Sequence, residues 1–520
     1  MAFYVHILWH MHQPWYWDEE KGEFVLPWVR THATKDYLFM GKLLERFPSV
    51  QVTFNFVPSL LRQIDLYLEG KKDRVMRLAE REATTLTAEE KREIVELFFL
   101  VASPRTFECW PRYKELWERR DTALFDFSTQ DFLDLQVLYQ LIWFDPLLLR
   151  TDEDARYLYE KGRNYTEDDK RRVFDVTMRV FRAIVPQYRK LLERGQIEIA
   201  FSPLYHPILP ILGDGSVVQD LPLDWSSFPQ DAVEQIRRGK EYACEVWGKD
   251  ILGMWPSEGS VSEKILSWAA QESVQWVATG EEILFRSLNI SRAEDGSAPV
   301  LLYRPHRFRC HGRDIVIFFR DRVLSDAIGF EYYRVSAVQA VENFMRKLSN
   351  IRKALPGEGD YIVSVILDGE NAWEYYKENG LLFLSGLYEA LSEGEGVTTI
   401  TPSRYLLQSV RDIPVLERVA PGSWIFGEFT SWVGHSEKNW AWGRLSEVRR
   451  EFERRKRFLS PEVRDKVYEL LLIAEGSDWF WWLGEDHPSP QKGVFVNHFL
   501  RILEKAMQLM RRDLGGSEGV

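Results

Sequence analysis

The sequence predicts an α/β protein: a (β/α)7 barrel with a helical insertion and a C-terminal helical region. Three observations carry this expectation. Seven short apolar runs recur along the chain, each ending in polar residues. A stretch from about 72 to 190 is almost wholly helical in pattern, too long for one crossover. After about 400 the strand signals fade.

The runs occupy residues 5–9, 50–54, 197–200, 251–255, 274–278, 315–319 and 361–367. They end at or near His10, Asn55, Ser202, Glu258, Glu281, Arg320-Asp321 and Asp368. Near-continuous apolarity marks strands buried on both faces, as in a parallel sheet covered by helices. A barrel of such strands gathers its active site at their C-terminal ends. Thr87-x-x-Glu90 has the form of a capping box that opens a helix inside the insertion. Ser460-Pro461 gives an N-cap and a first-turn proline, and Val463, Val467, Leu470, Leu471 and Ala474 supply one apolar face, with Gly476 ending the helix. The expected division is 1–400 for the barrel with its insertion, and 401–520 for helices that contribute to the cleft.

Bulk properties narrow the function. The net charge is −12, from 67 basic and 79 acidic residues. The basic run from Arg449 to Arg457 contains two glutamates and reads as a solvated helix face, so nucleic acid is not an expected partner. Cys109, Cys244 and Cys310 are far apart, which argues against a disulfide framework or a cysteine zinc site and suits a reducing compartment. No basic and apolar leader opens the sequence, and no apolar run approaches the ~20 residues of a membrane span. A soluble, cytoplasmic protein is expected. Aromatic residues make up 14%, with 20 Trp. Many serve a core, but flat indole faces also suit the C–H faces of sugar rings.

Two carboxylates stand out by context. Asp368 follows the strongest strand and begins Asp368-Gly369-Glu370, where a sharp turn aims the acid into the barrel mouth. Glu258 follows Trp255-Pro256-Ser257 and precedes Gly259 at another strand end. Glycoside hydrolysis uses such a pair, one group at the anomeric carbon and one at the leaving oxygen. A strand-end acid that only caps a turn is the alternative for each. His10 and His12 flank Met11, and residues i and i+2 of an extended chain share a side, so both imidazoles can face the mouth. They can hydrogen-bond sugar hydroxyls, ligate a metal with a carboxylate, or serve as core histidines. His206, after the third run, has the same readings. Trp424, Trp432, Trp440, Trp442 and the run Asp478-Trp479-Phe480-Trp481-Trp482 supply more aromatics than one core can take.

Taken together, five ordered segments resemble glycoside hydrolase family 57. They are His12-Gln13-Pro14, Gly195 to Pro207, Trp255 to Ser260, Asp368-Gly369-Glu370 and Ser477 to Trp481. The resemblance implies a (β/α)7 barrel, α-glucan substrates, a retaining mechanism, and neither catalytic metal nor cofactor. It implies Glu258 as nucleophile and Asp368 as acid/base. His10, His12, His206, Trp255, Glu370, Trp373, Trp432, Asp478 and Trp481 would then contact the sugar. Some members carry Glu where His206 stands, which changes the charge of that contact. Segments 196–210, 318–322 and 431–434 look most like amylopullulanase catalytic regions. α-Amylase and 4-α-glucanotransferase are the alternatives within the family. A metal-dependent polysaccharide deacetylase and a non-catalytic glucan-binding protein are the alternatives outside it. A retaining pair requires carboxyl groups ~5–5.5 Å apart and a raised pKa on the acid, here Asp368.

Overall fold

The structure, a computed structural model, describes all residues except 1, 101–103, 219–220, 222–224, 293–296, 311, 371, 395, 410–412 and 516–520. Seven parallel strands stand where the seven apolar runs predict them. They are β1 (Ala2–Met11), β2 (Val52–Phe56), β3 (Ile197–Phe201), β4 (Gly253–Met254), β5 (Trp276–Gly280), β6 (Arg313–Arg320) and β7 (Asp360–Asp368). Each pairs with the next, β7 pairs with β1 over nine residues, and Ser364 of β7 meets Arg320 of β6 to close the barrel. β4 is cut to two residues at a point of close approach. A Cβ on Gly253 would lie 2.0 Å from the Trp276 ring, so only glycine lets the backbone pass that indole.

Strand alternation decides what fills the barrel. On β1, Val5, Ile7, Trp9 and Met11 point outward into the main core beneath the helices. Leu8 points inward, where it packs with Trp255, Trp276, Phe318 and Ile366. His6, also inward, is held by Thr53 and Ser364, each at 3.2 Å. The same parity carries His10 inward at the top of the strand.

Between β2 and β3 the chain forms helices, ending in the 27-residue Glu167–Glu193. Thr87 and Glu90 make the expected capping box. An antiparallel strand, His306–Cys310, pairs with β6, and Val415–Leu416 pairs with that strand in turn. Beyond it come helices Ser436–Arg455, Pro461–Ala474, Ser477–Trp481 and Lys492–Gly515. Ser460 stands at an N-cap position, but its hydroxyl binds Asp513 at 3.0 Å instead of capping its own helix. Gly476 forms an antiparallel bridge with Pro207, and the Ser477 amide donates to the His206 carbonyl at 3.0 Å. These bonds dock the C-terminal helices beside the loop after β3. Among the described residues no helix is long and apolar enough to cross a membrane.

Candidate active site

A cleft of about 990 Å³ opens over the C-terminal strand ends. Its floor follows from strand register, which sets His10 of β1 beside Asp368 of β7. The chain then turns at Gly369, whose amide donates to the His10 carbonyl at 2.8 Å. A Cβ there would lie 2.6 Å from the Met11 sulfur, so a larger residue would displace the end of that side chain.

Glu258 reaches the cleft on a strained turn. Its backbone is left-handed, with φ 55° and ψ 30°, a conformation that costs a non-glycine residue about 1 kcal/mol. Such strain persists only where neighbours enforce it, and Trp424 does so twice. The Trp424 amide donates to the Glu258 carbonyl at 3.1 Å, and its indole N–H donates to Glu258 Oε2 at 3.0 Å. Trp255 packs edge-on against Trp424 at 5.0 Å, and the Arg320 guanidinium lies 5.1 Å over the Trp424 ring. Burial, then the Asp368 charge, pushes the Glu258 carboxyl up to about 8. Charged His12 and the Trp424 bond act against that rise. Sequence reasoning expects a raised acid at Asp368 and does not anticipate the rise at Glu258.

Three imidazoles stack beside the pair. His206 lies 4.0 Å from His12 and 5.1 Å from His10, ring centre to ring centre. Their electrostatics differ. His10 is pushed down to about 3 by burial and then by the His12 charge, against an Asn55 bond of 2.6 Å. His206 lies well below the ordinary value for the same first causes. Burial also opposes charge on His12, but the Asp478 carboxylate, 3.0 Å away through both oxygens, outweighs it and holds His12 above its ordinary pKa. The stack therefore favours positive charge at its Asp478 end over either other ring. Glu370 accepts from the His12 amide, Gln13 and Tyr37 at 3.1–3.2 Å. Burial and the Asp368 charge raise it well above the carboxylate range, and its second oxygen has no hydrogen-bond partner.

Of the eleven residues read from the sequence, Glu258, Asp368, His10, His12, Glu370, Asp478 and Trp481 line the cleft. His206 and Trp255 are fully buried directly beneath it. Trp373 and Trp432, expected to touch sugar, are fully buried and stand apart from it. Trp373 donates to the Gly369 carbonyl at 2.7 Å and so supports the turn after Asp368. Trp432 backs Trp481 at 5.6 Å. Trp424 was visible in the sequence as one of a tryptophan cluster, but its bond to Glu258 was not. Phe330, Tyr375 and Phe426, exposed on the cleft wall, had no sequence signal at all. The imidazoles stack by their faces, and among the described residues no group of three His, Cys, Asp or Glu is arranged to hold a metal ion. That arrangement does not favour the deacetylase alternative.

The chain resembles proteins of known activity. An α-amylase of Pyrococcus furiosus is 25% identical over 232 residues, 42% of this chain and 30% of that protein. Alpha-amylase 1 of Dictyoglomus thermophilum is 28% identical over 104 residues, 19% of this chain and 13% of that protein. The matches thus span less than a third of either relative's length. A solved branching enzyme of family GH57 from Thermococcus kodakaraensis superposes with a TM-score of 0.63 at 16% identity, covering 97% of this chain and 90% of that one. An α-amylase from Thermotoga maritima gives the same score and identity, covering 99% and 94%. At such identity the likeness is one of fold. The sequence profile of Glycosyl hydrolase family 57 matches residues 6–413, a span that holds β2 to β7, the cleft end of β1 and both Glu258 and Asp368, so the chain belongs to that family.

Proposed function

We propose that this protein cleaves α-glucan chains by retaining double displacement, with Glu258 as nucleophile and Asp368 as acid/base. The observation that carries the reading is the Glu258–Asp368 pair itself. Two carboxyl groups share one cleft over the barrel, the Asp368 charge is close enough to raise the Glu258 pKa, and an indole fixes Glu258. Ionised Glu258 attacks the anomeric carbon while Asp368 gives its proton to the departing glycosidic oxygen. Asp368 then takes a proton from the incoming hydroxyl, which displaces Glu258 from the sugar. The working state therefore needs the shared proton on Asp368, and charged His12 favours that shift by opposing protonation of Glu258. His10 and Glu370 face the same space and supply hydrogen bonds to sugar hydroxyls.

The amylase and branching activities of the proteins it resembles support the substrate class. The finer reading is amylopullulanase-type cleavage of α-1,6 and α-1,4 links, supported by segments 196–210, 318–322 and 431–434. Product analysis on pullulan and maltoheptaose tests it. Maltotriose from pullulan supports α-1,6 cleavage, products longer than maltoheptaose mean transfer, and simple shortening means amylase. Full activity of Glu258→Gln on any of these glucans sinks the catalytic assignment.

A further inference from the structure

A second cavity of about 350 Å³ lies on the far side of the loop that follows β1, between that loop and the C-terminal helices. Its size is near the lower end of the ~300–1,000 Å³ typical of small-molecule sites. It shares no lining residue with the catalytic cleft, yet it abuts it in sequence. Trp15 of its wall follows Pro14 of the cleft, and Tyr205 precedes His206.

Three features describe what this cavity accepts. Its charged walls are largely neutralised from within. Asp18 pairs with Arg501 at 2.9 Å, Arg62 with Glu469 at 2.7 Å, and Lys466 with Glu19. Glu20, Asp65 and Glu69 then remain against Lys505, a mildly negative balance that disfavours an anion. Trp15 and Trp17 are both half-buried in the lining, with Arg62 5.6 Å over one face of the first and Lys71 5.7 Å over one face of the second, so each has its other face and its edge to offer the cavity. Finally, His498 lines the cavity while only 3% exposed; the Trp15 backbone carbonyl lies near enough to one ring nitrogen to act on its charge, and the other nitrogen has no hydrogen-bond partner. Burial lowers its pKa to about 4, so the ring is neutral and offers one donor and one acceptor. A buried imidazole with a ring nitrogen left unsatisfied costs stability unless a ligand or water completes it.

We infer that this cavity is a second carbohydrate site, which holds a short α-glucan segment outside the catalytic cleft, its ring faces against Trp15 and Trp17 and its hydroxyls on His498. A neutral ring with apolar faces and hydroxyl edges matches largely paired walls, half-buried indoles and a neutral imidazole together. An anion would meet the residual negative balance, and a cation would find one face of each indole already taken by Arg62 and Lys71. The choice of glucan over another neutral sugar rests on the proposed activity.

The experiment reads binding separately from turnover. Maltotriose is titrated by calorimetry into the full-length Glu258→Gln protein and into two further variants in that background. Trp17→Ala removes an indole, and Glu69→Trp fills the cavity's exposed rim without touching the core. Two binding events in Glu258→Gln, one of which is lost or weakened about fivefold in both variants, support the site. An unchanged isotherm in both variants overturns it. In the active protein the same two substitutions raise KM for long amylose and leave kcat/KM for maltotriose unchanged. A wild-type protein that turns over no α-glucan refutes the proposed function, while the calorimetric arm still decides the site.

Discussion

Glu258 combines three costs that a structural residue has no reason to bear: left-handed backbone, burial, and a like charge beside it. Each has a measurable consequence. A carboxyl whose pKa in the folded state is raised to about 8 binds more protons folded than unfolded between roughly pH 4.5 and 8. Stability therefore falls as pH rises through that window, because ionisation is penalised only in the folded protein. Glu258→Gln removes the ionisable group. Its stability, read from melting curves, is expected to match the parent near pH 4 and to exceed it near pH 9, by on the order of 2 kcal/mol after discounting for water in the open cleft. Equal melting curves at both pH values would show that the site bears no such strain. Trp424 works in the opposite sense, since its bond favours ionised Glu258. Trp424→Phe is expected to lower kcat roughly tenfold and to move the acid limb of the kcat/KM profile to higher pH. A profile that drops without moving would mean that Trp424 only packs.

At the scale of elements, the loop carrying Trp424 also presents Phe426, 74% exposed and left-handed at φ 55°. An apolar ring held in water on strained backbone suits a sugar platform at the cleft wall. Phe426→Gly relieves the strain and removes the ring, so it is expected to stabilise the fold by about 1 kcal/mol while raising KM for long glucans. A lower melting temperature with unchanged KM would count against the platform. This loop also shows where sequence reading stops. The barrel strands were legible because strands buried on both faces leave apolar runs, and β1 parity alone placed His10 in the mouth. Even β4, two residues long, was found through its flanking apolar residues. Trp424 became a clamp only through a fold-back that brings Gly422 to Val261 and Trp424 to Glu258, contacts between distant segments that no local period encodes. Trp373 and Trp432 failed for the converse reason. A tryptophan next to a catalytic motif can serve the turn from behind as readily as the substrate from in front, and only burial distinguishes the two.

For the whole molecule, the decisive link joins the two ends of the chain. His12 lies just past the first strand and Asp478 near the last helices, yet their contact fixes the charge of the site. The C-terminal helices are fastened to the barrel side by a buried Arg449–Asp231 pair, with nitrogen–oxygen contacts of 2.5 and 2.9 Å, and by the backbone bridge at Gly476. Because His12 is raised above its unfolded value, its contribution to stability is fully present below about pH 6.5 and disappears as pH rises through the folded pKa. Asp478→Asn removes the partner and leaves a buried imidazole that prefers to be neutral. The variant is expected to lose the most stability near pH 5.5 and to converge on the parent near pH 9. Its catalytic effect has a sign as well. On Glu258 the His12 charge acts more strongly than that of Asp478, so losing both raises the Glu258 pKa further and moves the acid limb of kcat/KM upward. Melting curves and pH profiles of the same variant thus read one proton from two sides. A stability loss that is equal at pH 5.5 and pH 9 would show that Asp478 merely packs the C-terminal helices, and that the charge on His12 is set elsewhere.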